Sequence, residues 1–268
     1  MIELDTPDGI ARVVSQGAHV THWQPRGGEP VLFMSPRSIS APGRAIRGGI
    51  PVCFPWFATR ADNPAAPAHG FARIREWRLE DRTETTLAFR LESDAETRRL
   101  WPHDFRLRLE IALRRSLELA LEVVNTSSSS FTFEAALHTY LLVGDVGVIE
   151  ISGLEGAPYV DKTDGDTSKR AGDTPMRLTG EVDRVFPGTT APCVVSDPVL
   201  RRRLRVAKRG SATTVIWNPG PVRAATLADL GPEAWRSMVC VETANTGNDR
   251  VRLAAGEAHR MSATLTCE

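Results

Sequence analysis

Two side chains set the chemical question, His138 in Phe131-Thr-Phe-Glu-Ala-Ala-Leu-His-Thr-Tyr140 and Glu242 in Met238-Val-Cys-Val-Glu-Thr-Ala-Asn245. In an extended strand successive residues face opposite ways. Phe131, Phe133, Ala135 and Leu137 therefore share one face, and Thr132, Glu134, Ala136, His138 and Tyr140 share the other, which is polar, as a cleft floor would be. Histidine has the ordinary pKa best suited to giving and taking protons near neutrality. Glu242 interrupts an apolar strand on the face of Met238 and Cys240, where partial desolvation raises a carboxyl pKa and makes a better base. Taken singly, each also reads as structural: a strand histidine with a fixed hydrogen bond, or a strand-end acid in water. They gain meaning as a pair.

A second group lies in Arg47-Gly-Gly-Ile-Pro-Val-Cys-Phe-Pro-Trp-Phe57 and His69-Gly-Phe-Ala-Arg73. Arginine presents a planar donor fork suited to phosphate, and glycine lets a backbone approach an anion closely. Arg47 and Arg73 could form an anion clamp, or the glycines could simply make a turn. His69 could meet a sugar hydroxyl or pin its loop. Asp183, in Gly180-Glu-Val-Asp-Arg-Val-Phe186, could accept from two hydroxyls or pair with a neighbouring arginine. His19 and His22, three apart on a strand, point to opposite faces, which argues against a shared metal. No zinc, P-loop, dinucleotide-binding or nucleophile-elbow pattern occurs.

The elements that must position these groups are strands. Leucine and isoleucine alternate with charged residues over 105–113 and 117–123. Further strands are expected over 10–15, 18–23, 86–92, 131–143, 148–152, 182–186, 204–208, 213–217 and 238–242. So many closely spaced strands predict an all-β, large antiparallel sandwich. Helical periodicity is confined to 94–100 and to 227–235, the second broken by Gly231-Pro232. Residues 35–67, rich in proline and glycine, are expected to be a long ordered loop, a place where function often sits.

Composition narrows the classes. The 268 residues carry 33 Lys plus Arg against 33 Asp plus Glu, which argues against a nucleic-acid partner, whose binders are usually basic. No Gly/Ser/Pro linker divides the chain, so a single domain over 1–268 is expected. The four cysteines are far apart and fit a reducing compartment. The N-terminus has no signal-peptide pattern and no run of eighteen apolar residues occurs, so a cytoplasmic protein free of membrane is expected.

The loop motifs, followed by Trp101-Pro-His-Asp-Phe105, Ala136-Leu-His-Thr-Tyr140, Tyr159-Val-Asp-Lys-Thr163, Val182-Asp-Arg184, Val215-Ile-Trp-Asn-Pro219 and Met238-Val-Cys-Val-Glu242, lie in an order that resembles one family throughout. That family is the glucose-6-phosphate 1-epimerase (D-hexose-6-phosphate mutarotase) branch of the aldose 1-epimerase superfamily. The resemblance implies a galactose mutarotase-like supersandwich and a monomer. It implies anomer exchange of a hexose 6-phosphate, with neither metal nor other cofactor. His138 then takes the place of the catalytic acid and Glu242 that of the base, on opposite sides of a sugar ring. Arg47 and Arg73 stand where phosphate is bound, and His69 and Asp183 where the sugar is contacted. Three residues depart from the pattern: Thr243 for a proline, Ala58 for a glycine and Gly220 for a tryptophan. Of these, Gly220 is expected to alter the cleft rim. Two other readings remain at this stage, an epimerase of unphosphorylated sugars and a non-catalytic carbohydrate-binding sandwich.

Overall fold

The longest strands form where leucine and isoleucine alternate with polar residues. Phe105–Leu113 and Leu117–Asn125 pair antiparallel with Leu109 opposite Leu121. One face of this hairpin, including Leu107, Leu109, Ile111, Leu119 and Leu121, is fully buried, while arginine and glutamate cover much of the other. Burying each such side chain contributes about 1.5–3 kcal/mol. The structure, a computed structural model, describes residues 1–60 and 62–268.

Two eight-stranded sheets dominate. The first, a scaffold sheet, runs Glu150–Ser152, Cys193–Asp197, Arg202–Arg209, Ala258–Cys267, Leu117–Asn125, Phe105–Leu113, Thr86–Glu92, Arg78–Arg82. Ala258–Cys267 is thus central, although it is the last strand in the chain. The second sheet runs Thr167–Arg170, Pro158–Asp161, Val182–Pro187, Thr213–Asn218, Met238–Asn245, Ala135–Leu137, Val52–Cys53, and Tyr140–Leu142 also pairs with Met238–Asn245. A smaller sheet of Ile2–Thr6, Gly9–Val14 and His19–Pro25 adds to the same continuous apolar core, to which both large sheets contribute. The strand pairings are antiparallel, as expected for the all-β sandwich.

Helix is scarce. Ala95–Leu100 begins at Asp94, whose carboxylate accepts from the backbone N–H of Glu96 and Thr97. The expected helix over 227–235 does not form. A helix lies just upstream instead, at Gly220–Thr226, where Pro221 suits a first turn, and Gly231-Pro232 leaves only a short turn at Ala234–Ser237. None of the described helices is long and apolar enough to cross a membrane.

Two other expectations change in detail. The strand expected over 131–143 is three pieces, Phe131–Phe133, Ala135–Leu137 and Tyr140–Leu142, yet its alternation survives: Phe131, Phe133, Ala135, Leu137 and Leu141 join the main core, and Ala136 and Tyr140 pack on the other face. The break falls at 138–139 because the His138 N–H donates to the Pro51 carbonyl and the Thr139 N–H turns back to Leu137. The proline-rich loop over 35–67, of which Ala61 lies outside the described residues, contains one short strand, Val52–Cys53, paired with Ala136–Leu137. That pairing carries the loop under the cleft.

Candidate active site

Strand register brings the central pair together. Leu137 lies opposite Thr243 and Tyr140 opposite Cys240, so the same register sets His138 opposite Glu242 across the break. Val239 and Val241 face the main core; Met238, Cys240, Glu242 and Ala244 therefore face the other way. On that face His138, Glu242, Val215 and Val185 make one row, and Tyr140, Cys240, Trp217 and Asp183 the next. Above them opens a cleft of about 630 Å³, lined also by Arg47, His69 and Arg73. All six site residues expected from the sequence reach this one cleft.

The His138 Nε2 lies 3.3 Å from Glu242 Oε1, and both side chains are almost completely buried. They are adjacent, not on opposite sides of a sugar ring as expected. Chemistry explains the difference: the two oxygens that exchange protons at an anomeric centre are bonded to the same carbon. Burial pushes the Glu242 carboxyl well above the usual carboxylate range, with Asp183 adding to the push and Arg73 opposing it. Burial likewise holds the His138 imidazole well below its ordinary value, and the charges of His69, Arg73 and Arg47 act in the same direction. The buried, uncharged forms are thus favoured on both partners.

His69 pins its loop and also lines the cleft. Its Nδ1 accepts from the Ala58 N–H at 3.3 Å, and its own N–H donates to the Ala58 carbonyl at 2.8 Å. An accepting Nδ1 leaves the proton on Nε2 in the neutral ring, and the ring meets His138 edge to face, centroids 5.6 Å apart. Burial, then Arg73 and Arg47, bring its pKa down to about 3. Asp183 makes no ion pair with Arg184; burial pushes its carboxyl up to about 6 against the opposing charge of Lys162.

The arginines differ. Arg47 is held by Asp229, 3.1 Å from both Nε and Nη2, and donates from Nη1 to the Tyr140 hydroxyl at 3.1 Å. Arg73 donates to the Ala68 carbonyl at 2.8 Å, its Nε is buried without a partner, and it has no carboxylate partner among the described residues. The neighbouring glycines serve packing: at Gly49 (φ +62°) a Cβ would sit 2.2 Å from the Val20 carbonyl oxygen. His19, buried and donating to the Gly48 carbonyl, braces the same turn.

The three departures separate. Thr243 is on the core face, away from the cleft. Ala58 adopts φ +60°, a left-handed conformation that costs a non-glycine residue about 1–2 kcal/mol. Gly220 has φ +58°, and a Cβ there would lie 2.5 Å from the Glu181 nitrogen, so the backbone here admits no side chain; the helix it opens supplies Arg223 to the rim. Sequence reading missed Tyr140, Trp217 and Asp229 as site residues. Alternation had placed Tyr140 on the polar face, whereas nothing in the local pattern joins Asp229 to Arg47. Glu134, also on that face, is fully engaged in holding Phe57, Thr246 and Gly247.

His138, Cys240 and Glu242 offer nitrogen, sulfur and oxygen donors within 4.8 Å of one another, the metal-capable group among the described residues. An ion there would occupy the atoms an acid–base reaction needs, so the two uses exclude each other.

An antiparallel sandwich that presents a buried imidazole–carboxyl pair on the floor of a cleft is suited to acid–base exchange at a sugar's anomeric centre. The chain belongs to the aldose 1-epimerase family, whose model matches residues 1–266, and it is an isomerase. A protein of Escherichia coli (strain K12), provisionally named a glucose-6-phosphate 1-epimerase, is 37% identical over 248 residues, 91% of this chain and 82% of that one. A crystal structure of a provisionally named mutarotase from Salmonella typhimurium superimposes with a TM-score of 0.91 at 32% identity, over 99% of this chain and 89% of that one. A galactose mutarotase-like protein from Lactobacillus casei, at 15% identity, shares the fold with a TM-score of 0.82 over the whole of both chains.

Proposed function

We propose that this isomerase exchanges the α and β anomers of a hexose 6-phosphate, glucose 6-phosphate being the test substrate, by acid–base ring opening at His138 and Glu242. The observation that carries the reading is the buried 3.3 Å His138–Glu242 contact on the floor of a cleft that both Arg47 and Arg73 line. Ring opening removes the proton of O1 and adds one to O5. Glu242 as carboxylate takes the first and His138 as imidazolium gives the second, leaving a carboxylic acid, a neutral imidazole and the open aldehyde. Burial favours these two uncharged forms, so charge is discharged as the ring opens. Rotation about C1–C2 presents the other carbonyl face, and closure returns both protons.

The remaining groups bind. His69 Nε2–H and the Asp183 carboxyl suit sugar hydroxyls, and the half-buried Trp217 offers an apolar wall. Arg73 suits the phosphate, having no carboxylate to give up among the described residues. Arg47 is already shared with Asp229, which favours as a second reading an unphosphorylated aldose. Magnetisation-transfer NMR of α/β exchange, on glucose 6-phosphate, glucose and galactose with and without protein, separates them. Acceleration confined to the phosphorylated sugar and lost in His138→Ala supports the proposal. Equal acceleration of free sugars selects the second reading, and none at all rejects both.

A further inference from the structure

The phosphate-binding and proton-transferring ends of the cleft are joined by one side chain. The Tyr140 hydroxyl accepts from Arg47 Nη1 at 3.1 Å, while its ring lies flat on the His138 imidazole, centroids 4.7 Å apart and planes within 10°. Trp217 stands edge-on to both rings at 6.1 Å. Tyr140 is fully buried, and its backbone N–H is fixed to the Gly49 carbonyl, two residues beyond Arg47. The phenol therefore cannot turn without disturbing Arg47 or His138.

We propose that Tyr140 is a positioning residue that couples anion capture at Arg47 to His138, so that the substrate's phosphate accelerates ring opening as well as tightening binding. The inference rests on the mutarotase reading above. The charged and titratable groups around His138 are Glu242, His69, Arg73, Arg47, Tyr140 and Cys240. Of these, His69, Arg73 and Arg47 oppose a positive imidazole, and the two arginines carry the part of that opposition that an anion can neutralise. A phosphate dianion on the guanidinium groups offsets the arginines' share, and the imidazolium that must donate to O5 forms more readily. The flat phenol face stabilises the same cation. As the Arg47 fork turns toward the phosphate, its bond to the phenol oxygen is the path by which the ring, and the imidazole beneath it, takes its working position.

The test compares kcat and KM of wild type and Tyr140→Phe for glucose 6-phosphate and for glucose, and repeats the glucose assay with inorganic phosphite added, against a protein-free control. Phosphite is expected to raise the wild-type turnover of glucose. Loss of a charge-assisted hydrogen bond is expected to shrink the kcat advantage of glucose 6-phosphate over glucose by about tenfold or more in Tyr140→Phe, to abolish phosphite activation, and to move KM much less. An undiminished advantage in the variant, or equal losses on both sugars, would make Tyr140 merely structural and overturn the coupling. Phosphite that competes with glucose 6-phosphate without activating glucose also overturns the coupling, leaving the phosphate reading intact. Phosphite that neither activates nor competes removes the phosphate reading itself.

Discussion

The two large sheets are equal in strand number and opposite in character. The scaffold sheet is centred on long unbroken strands with one face toward water, so Leu117–Asn125 alternates buried and accessible residues. In the site sheet Met238–Asn245 is buried at every position, and its neighbour is cut at 138–139. Regularity in one sheet stabilises the fold; the interruption in the other points polar atoms into a cleft. Stability and chemistry are thus separable by position, and four substitutions examine the division.

The largest effect belongs to the site. Glu242→Gln should lower kcat for anomer exchange by about 10²–10⁴-fold, with the variant no less stable than wild type in urea at neutral pH, since a buried acid is removed. A comparable loss of stability would blur the division. In the scaffold, Leu109→Ala should cost about 2–5 kcal/mol in urea unfolding, while molecules still folded keep the wild-type kcat; a reduced kcat per folded molecule would show that the scaffold tunes the site.

Asp183 connects the two kinds of effect through pH. Its folded pKa is raised from 3.8 to about 6, so the native state holds the proton more tightly than the unfolded chain. Its contribution is fully present below the lower value and is lost as pH rises through the upper one. Asp183→Asn should remove this loss, gaining on the order of 2 kcal/mol over wild type at pH 7 but nothing at pH 3. Unfolding midpoints across that range provide the check. The smallest change is Ala58→Gly, which relieves a left-handed alanine beside His69 and should add less than about 1 kcal/mol, after the entropy of glycine is subtracted. A stability decrease would mean that the alanine methyl holds the His69 clasp.

The scaffold was legible because water on one face enforces a period of two. The faces of 131–143 were legible for the same reason, even where the strand itself is interrupted. What local sequence does not encode is hydrogen bonding from afar: the His138 N–H leaves its strand for Pro51, and the Arg47 fork is held by Asp229 in a turn without periodicity. The glycines after Arg47 looked suited to an anion, whereas Gly49 is required by the closeness of Val20. The helix near 227–235 was misplaced because Leu227, Leu230 and Ala234 give an apolar spacing that Gly231-Pro232 cannot sustain as a helix, while Pro221 favours a start further upstream.

The position of Ala258–Cys267 bears on how the molecule is made. A ribosome makes this strand after every other strand of the scaffold sheet, yet its place is between Arg202–Arg209 and Leu117–Asn125. Until it emerges, the scaffold exists as two separate halves, each with an unpaired edge able to adhere to another nascent chain. The site sheet is likewise incomplete until Met238–Asn245 has been synthesised. Neither sheet can complete its pairing, and the cleft cannot be assembled, until these two late strands have been made.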